Sequence, residues 1–264
     1  MNLGRIKTFL IVLFLGINIY LATSLFMSTR FFIDSDTIEN TVKLLEDNKI
    51  TVDQDLIMRS VVNLKNTETG NTLYTDKFEK SDKSKFFEIK DDNFVCKKEE
   101  ASLYNKSDRK IRKQISEFLE SAGFSTKYME FGKISKKKPG TKKFTIKCIV
   151  DGYEIFDSNI KVEVTKTGFT LKGSWYEPST DEVKSDKHTR NTVYITSVLV
   201  SMLQNDKIMK NAPFEITDIS YGYLAGSSYG KGAHITASAS PYYRIKDNLG
   251  NIYYYDAKNG TYLK

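Results

Sequence analysis

The sequence predicts an α+β protein: a single amino-terminal transmembrane helix followed by an exported ectodomain of tandem modules, each a helix packed on an antiparallel sheet. Three observations predict this class. Residues 9–27 read FLIVLFLGINIYLATSLFM without a charge. The rest of the chain alternates short, strand-like apolar runs with Gly, Asn and Asp turns. Segments with three-to-four apolar spacing recur between those runs, as in a helix-then-sheet repeat. The 264 residues are 28% charged, 40% hydrophobic and 12% aromatic, which excludes disordered, collagen-like and coiled-coil chains. Two histidines and two cysteines exclude a multi-ligand zinc scaffold and a disulfide-dense mini-protein, and leave little material for histidine-based catalysis.

As a helix, residues 9–27 span roughly 28 Å, close to a bilayer core. Arg5 and Lys7 precede the run and only Arg30 follows closely, so the positive-inside rule places residues 1–8 in the cytoplasm and the later chain outside. The expectation is a single-pass signal anchor in the cell membrane, with an extracytoplasmic carboxy-terminal domain. A cleaved signal peptide competes with it, since Ala22-Thr23-Ser24 offers small residues, but the apolar run continues through Leu25, Phe26 and Met27. Asn18 falls near the middle of the run, and Ile11, Ala22 and Leu25 share its face at helical spacing. An amide there favours a polar group on a partner helix, and small Ala22 permits close approach. Ile11, Asn18, Ala22 and Leu25 are therefore the candidate partner contacts, the alternative being an amide bonded within its own helix. Three basic residues and no acidic one precede Phe31, so the net charge of +7 falls to +4 beyond it. That is only mildly basic and does not suggest a nucleic-acid partner.

Residues 31–105 read as a helix and strands. Ile38, Val42 and Leu45 mark one helix face over 34–48, and Ser60–Asn66, Asn71–Phe78 and Lys85–Glu99 read as strands broken by Thr69-Gly70-Asn71 and Asp91-Asp92-Asn93. A first module, 106–182, opens with a helix over 107–122. Its face is Ile111, Ile115, Phe118, Leu119 and Ala122, and Gly123 stops it. Four strands follow, with Asp151-Gly152 as a hairpin turn. A second module, 183–264, repeats the order: a helix over 189–204, then Phe214–Gly226, Ala233–Asp247 and Asn251–Leu263, the aromatic end of which reads as a hairpin.

Candidate chemistry is sparse. Gly226-Ser227-Ser228-Tyr229-Gly230 matches a nucleophile elbow, but His234 follows without an intervening acid and the next segment alternates like a strand. His188 and His234 lack marked co-ligands. Lys136, Lys137, Lys138, Lys142 and Lys143 surround Pro139-Gly140 as a basic hairpin loop, either solvated or touching an anionic surface. Cys96 and Cys148 are either disulfide-bonded or two small buried apolar residues. The reading assigns no catalytic, cofactor or metal residue, and expects neither an enzyme, a small-molecule substrate nor a nucleic-acid partner.

Two stretches carry a family resemblance. Arg5-Ile6-Lys7-Thr8-Phe9-Leu10-Ile11 with Phe14–Leu21 resembles the amino-terminal anchor of the YycI regulatory proteins of Gram-positive bacteria, with Leu3 where that family usually has tryptophan. Ser240-Pro241-Tyr242-Tyr243-Arg244-Ile245, Gly250 and Ile252–Gly260 look like the family's closing P-x-W-R-I…G…Y-x-N/D-A-x-x-G pattern, with Tyr243 at the tryptophan position. The resemblance implies a YycH/YycI-like fold and a single-pass regulatory protein. Its implied partners are a sensor histidine kinase of the YycG/WalK type and a YycH-like protein, its implied role the modulation of two-component signalling for cell-wall homeostasis. It implies no active site. The tail is also similar to the last hairpin of PepSY-type domains. The alternative is therefore a membrane-anchored PepSY-like binding or inhibitor module acting on an exported peptidase or wall polymer.

Overall fold

The computed structural model describes residues 13–20, 33–57, 67–100, 102–136, 139–178, 192–225 and 236–263. Helix α1 (Ser35–Asp47) buries Ile38, Thr41, Val42 and Leu45, the face that the apolar spacing marks. Lys49, at φ 64, turns the chain into β1 (Ile50–Val52). After β2 (Thr67–Asn71) comes a departure from the expected strand over 71–78. Residues Thr72–Tyr74 form a 3-10 turn and Asp76–Glu79 a short helix, α2. Asn71 Oδ1 accepts from the Leu73 amide at 3.0 Å and Thr75 Oγ1 from the Phe78 amide at 3.4 Å. These side chains satisfy amides that a strand would have offered to a ladder. The expected strand over Ser60–Asn66 lies outside the described residues.

β3 (Phe87–Lys90) and β4 (Asn93–Glu99) pair across Asp91-Asp92, with Asp91 at φ 54. Helix α3 (Asp108–Ser121) buries Ile111, Ile115, Phe118 and Leu119 and gives way at Gly123, φ 98. β5 (Met129–Phe131), β6 (Thr141–Val150), β7 (Tyr153–Thr165), β8 (Gly168–Ser174) and β9 (Tyr176–Pro178) follow. Asp151 and Gly152, at φ 51 and 84, make the two-residue β6–β7 turn that the dipeptide predicts. The helix expected over 189–204 is shorter: α4 (Ile195–Met202) starts after Tyr194. Asn205 then accepts from the Lys207 amide and opens a separate turn, α5 (Asp206–Met209). β10 (Phe214–Ala225), β11 (Thr236–Asp247) and β12 (Ile252–Asp256) end the fold.

The strands join one 12-stranded sheet, so the modules expected in tandem share it. Two cores lie on it. The first gathers α3, β3, β4 and β6–β9 around Phe94, Ile115, Leu119, Phe124 and Trp175; the second joins α1 and β1 to α4, α5 and β10–β12 around Leu45, Ile50, Leu199, Ile245 and Tyr255. Thus 33–57 pack with the end of the chain, where β1 runs parallel to β10 with Ile50 opposite Phe214, while 67–100 serve the first core.

β7 links the halves. Its residues 159–164 pair with β6 and β8, whereas Ile155 pairs with Cys148 of β6 and Tyr223 of β10. Between these registers Phe156, Asp157 and Ser158 bulge, bending the strand. The bulge is held from both sides: Asp157 Oδ1 accepts from the Ala225 amide at 2.9 Å, and Ser158 Oγ accepts from the Tyr176 amide at 2.8 Å.

The membrane expectations are corrected. Among the described residues no helix is long and apolar enough to cross a membrane. Of the 9–27 run the described residues are 13–20, a helical stretch about 12 Å long against a hydrocarbon core of about 30 Å. This overturns the single-pass signal anchor, and with it the cell-membrane localisation and extracytoplasmic placement of the domain. Asn18 lies exposed on that stretch; Ile11, Ala22 and Leu25 lie outside the described residues.

Candidate functional site: a lysine-lined sheet face

Strand alternation sorts the first sheet into two faces. Phe94 and Cys96, Phe144, Ile146 and Cys148, Ile160, Val162 and Val164, and Phe169 and Leu171 turn into the core. Their neighbours Lys97, Lys143, Thr145, Lys161, Glu163, Thr170 and Lys172 therefore take the opposite face. Cross-strand register arranges these residues in rows. Lys143, Glu163, Thr170 and Lys97 form one; Thr145, Lys161, Lys172 and Val95 form the next. Beyond β5, Gly132 to Ser135 make a rim against β6, with Ser135 bridged to Lys143. The result is a groove of about 760 Å³ lined by five lysines, Lys97, Lys133, Lys143, Lys161 and Lys172, against a single glutamate, Glu163.

Glu163 is already engaged, 2.8 Å from Lys143 Nζ. Lys161 and Lys172 stand directly opposite one another on β7 and β8, both exposed. Like charges in facing positions destabilise a sheet, so folding alone does not account for that pair. The groove's chemical capacity is electrostatic capture of an anion by mobile ammonium groups on apolar stems.

The basic hairpin loop marked in the sequence contributes little. Lys142 faces inward, donating to the Lys106 carbonyl at 2.9 Å beside Asp108 at 3.5 Å, and Lys136 approaches the same aspartate at 3.8 Å. Lys137 and Lys138 lie outside the described residues, and of the described members of the cluster only Lys143 reaches the groove. Lys97, Lys161 and Lys172 carry no contiguous sequence signal. The available clue was lysines on strand positions out of phase with buried residues.

A second cluster fastens the two halves. Arg244, 9% exposed, reaches from β11 to Glu154 on β7 through two hydrogen bonds of 3.2 Å. Its Nε donates to Ser220 Oγ at 3.1 Å, and its guanidinium lies 4.2 Å from the Phe156 ring centre. Lys147 adds a contact to Glu154 at 2.9 Å. Burial pushes the Glu154 carboxyl up, but hydrogen bonds from Arg244 and Lys147 and their charges outweigh it and hold the group below its ordinary value. Gly222 lets β10 approach here: a Cβ would collide with the Glu154 carbonyl oxygen and stand 2.9 Å from Phe156 Cζ. Arg244 is the arginine of the closing motif.

Ser228, His188 and His234 lie outside the described residues. Among the described residues no three His, Cys, Asp or Glu side chains form a group able to hold a metal ion. Cys96 and Cys148 are free and buried; burial pushes the Cys96 thiol up to about 12 and also raises that of Cys148. A shallower concavity of about 410 Å³ beside Tyr255 and Tyr262 is lined by Ser201, Gln204, Asn205 and Lys207.

No family model and no curated protein matches the chain. Among solved structures, it is similar to an uncharacterized protein from Eubacterium rectale ATCC 33656, at 12% identity over 89% of this chain and 84% of that one, with a TM-score of 0.43.

Proposed function

We propose that the protein is a regulatory interaction protein that associates with a sensor histidine kinase and a YycH-like partner, adjusting two-component signalling for cell-wall homeostasis. The observation that carries an interaction role is the lysine-lined face, where five lysines meet one glutamate among the described lining residues. The choice of partners rests on the likeness of Arg5–Leu21 and Ser240–Gly260 to YycI proteins. Arg244 within the second stretch clamps β11 to β7, giving that motif a structural reason. Co-purification of the tagged full chain with both partners, together with response-regulator phosphorylation in cells with and without the gene, tests the proposal. Recovery of both partners and altered phosphorylation on deletion are expected; recovery of neither, with phosphorylation unchanged, would refute it.

A PepSY-like binding or inhibitor module acting on a peptidase or wall polymer is the second reading. It is favoured by the recurrence of a helix followed by a three-stranded antiparallel meander, α3 with β6–β8 and α4 with β10–β12. Inhibition of a co-encoded peptidase by the purified chain would select it over signalling.

A further inference from the structure

The occupant of the lysine-lined groove can be narrowed by what the groove lacks and by its dimensions. Arginine forks would recognise phosphate bidentately, but the basic lining residues are all lysines. Nests of free backbone N–H groups also capture phosphate, yet β7 is paired with β6 and β8 over 159–164, and β8 with β7 and β4 over 169–173, so the amides of these floor strands serve the ladder. What remains is a spread of ammonium charges. Lys161 and Lys172 are neighbours across one strand spacing, and Lys143 and Lys97 lie at the two ends of a row of four strands, about 14 Å apart. An extended polypeptide places side chains i, i+2 and i+4 on one side over about 13 Å. Carboxylates at alternate positions therefore match the span of the lysines.

We propose that this groove docks an extended acidic polypeptide segment, with carboxylates on alternate residues, received by Lys143 and Lys97 at the ends of the row and by the facing Lys161 and Lys172 between them. The facing Lys161–Lys172 pair is the centre of the site: its repulsion is relieved when a carboxylate enters between the two ammonium groups. The proposal rests on reading the chain as an interaction protein but not on the identity of the kinase.

The test uses the purified full chain and a labelled peptide of about ten residues alternating glutamate and serine, with its glutamine counterpart and a linear polyphosphate of equal charge as comparisons. Fluorescence anisotropy is read at low salt and at about 0.3 M salt. Lys161→Glu with Lys172→Glu should weaken glutamate-peptide binding at least about tenfold. Lys43→Glu with Lys110→Glu makes the same change in net charge at exposed helix positions, and should weaken binding by less than about threefold. Circular dichroism verifies folding, and Lys161→Gln with Lys172→Gln replaces the charge reversal if that variant fails to fold. Equal losses in both variants, equal binding of the glutamine peptide, no glutamate-peptide binding at low salt, or polyphosphate binding more than about tenfold tighter would each overturn the proposal. Because the readout needs no kinase, failure here leaves the co-purification result standing, and failure to recover the kinase leaves this binding result standing.

Discussion

Replacing Arg244 by methionine tests the junction between the two halves of the sheet. Arg244 and Glu154 are 11% and 15% exposed at their side chains, so the variant leaves a carboxylate shielded from water. Breaking such a buried pair generally costs about 3–5 kcal/mol, and the lost contact with Phe156 adds about 0.5–2 kcal/mol. Lys147 remains 2.9 Å from Glu154 and is 38% exposed, so it continues to neutralise part of the charge from a partly solvated position. The expected loss is therefore about 2–4 kcal/mol, a large share of a domain's stability. Urea unfolding followed by tyrosine fluorescence and circular dichroism measures it, and a double-mutant cycle with Glu154→Gln isolates the pair.

The effect has a direction in pH. The folded pKa of Glu154 lies below the ordinary carboxyl value of 4.5, so folding favours the ionised carboxyl. Its contribution is complete above the unfolded value and is lost as pH falls through the lower folded value. The stability gap between wild type and Arg244→Met should then shrink at acid pH below about 4.5. A loss under about 1 kcal/mol at neutral pH, a coupling near zero in the cycle, or a gap unchanged in acid would refute the reasoning.

Gly222→Ala should destabilise by about 1–3 kcal/mol, because its methyl collides with the Glu154 carbonyl and the Phe156 ring; thermal unfolding measures this, and a neutral substitution would show that β7 gives way freely. Lys161→Glu turns a like-charge cross-strand pair into an opposite-charge pair with Lys172, and should stabilise by about 0.2–1 kcal/mol, read as a higher urea midpoint; a lower midpoint would show that the lysines do not repel. Cys96 and Cys148, buried and with raised pKa values, should resist a thiol reagent at neutral pH until denaturant is added; rapid labelling of the native chain would contradict their burial.

The sequence by itself determined much of the local structure, because apolar spacing and turn chemistry act over a few residues. The faces of α1 and α3, the left-handed turn at Asp151-Gly152, the β3–β4 hairpin and the aromatic pairing of Tyr242–Lys246 with Ile252–Asp256 were legible in this way. Reading 71–78 as a strand failed because apolar alternation there competes with Asn71 and Thr75, whose short polar side chains cap turns. The 9–27 run was judged by apolar length and flanking charge, whereas crossing a bilayer demands a folded helix of that length, and none of the described helices is long and apolar enough.

Tertiary structure alone decided which distant pieces meet. β1 finds β10, β7 changes partners across the bulge at 156–158, and Arg244 meets Glu154 from another strand. The lysine face is decided at the same level. Lysines scattered from Lys97 to Lys172 become one charged surface only when the register of four strands is set, and register depends on long-range burial and pairing that no local pattern contains.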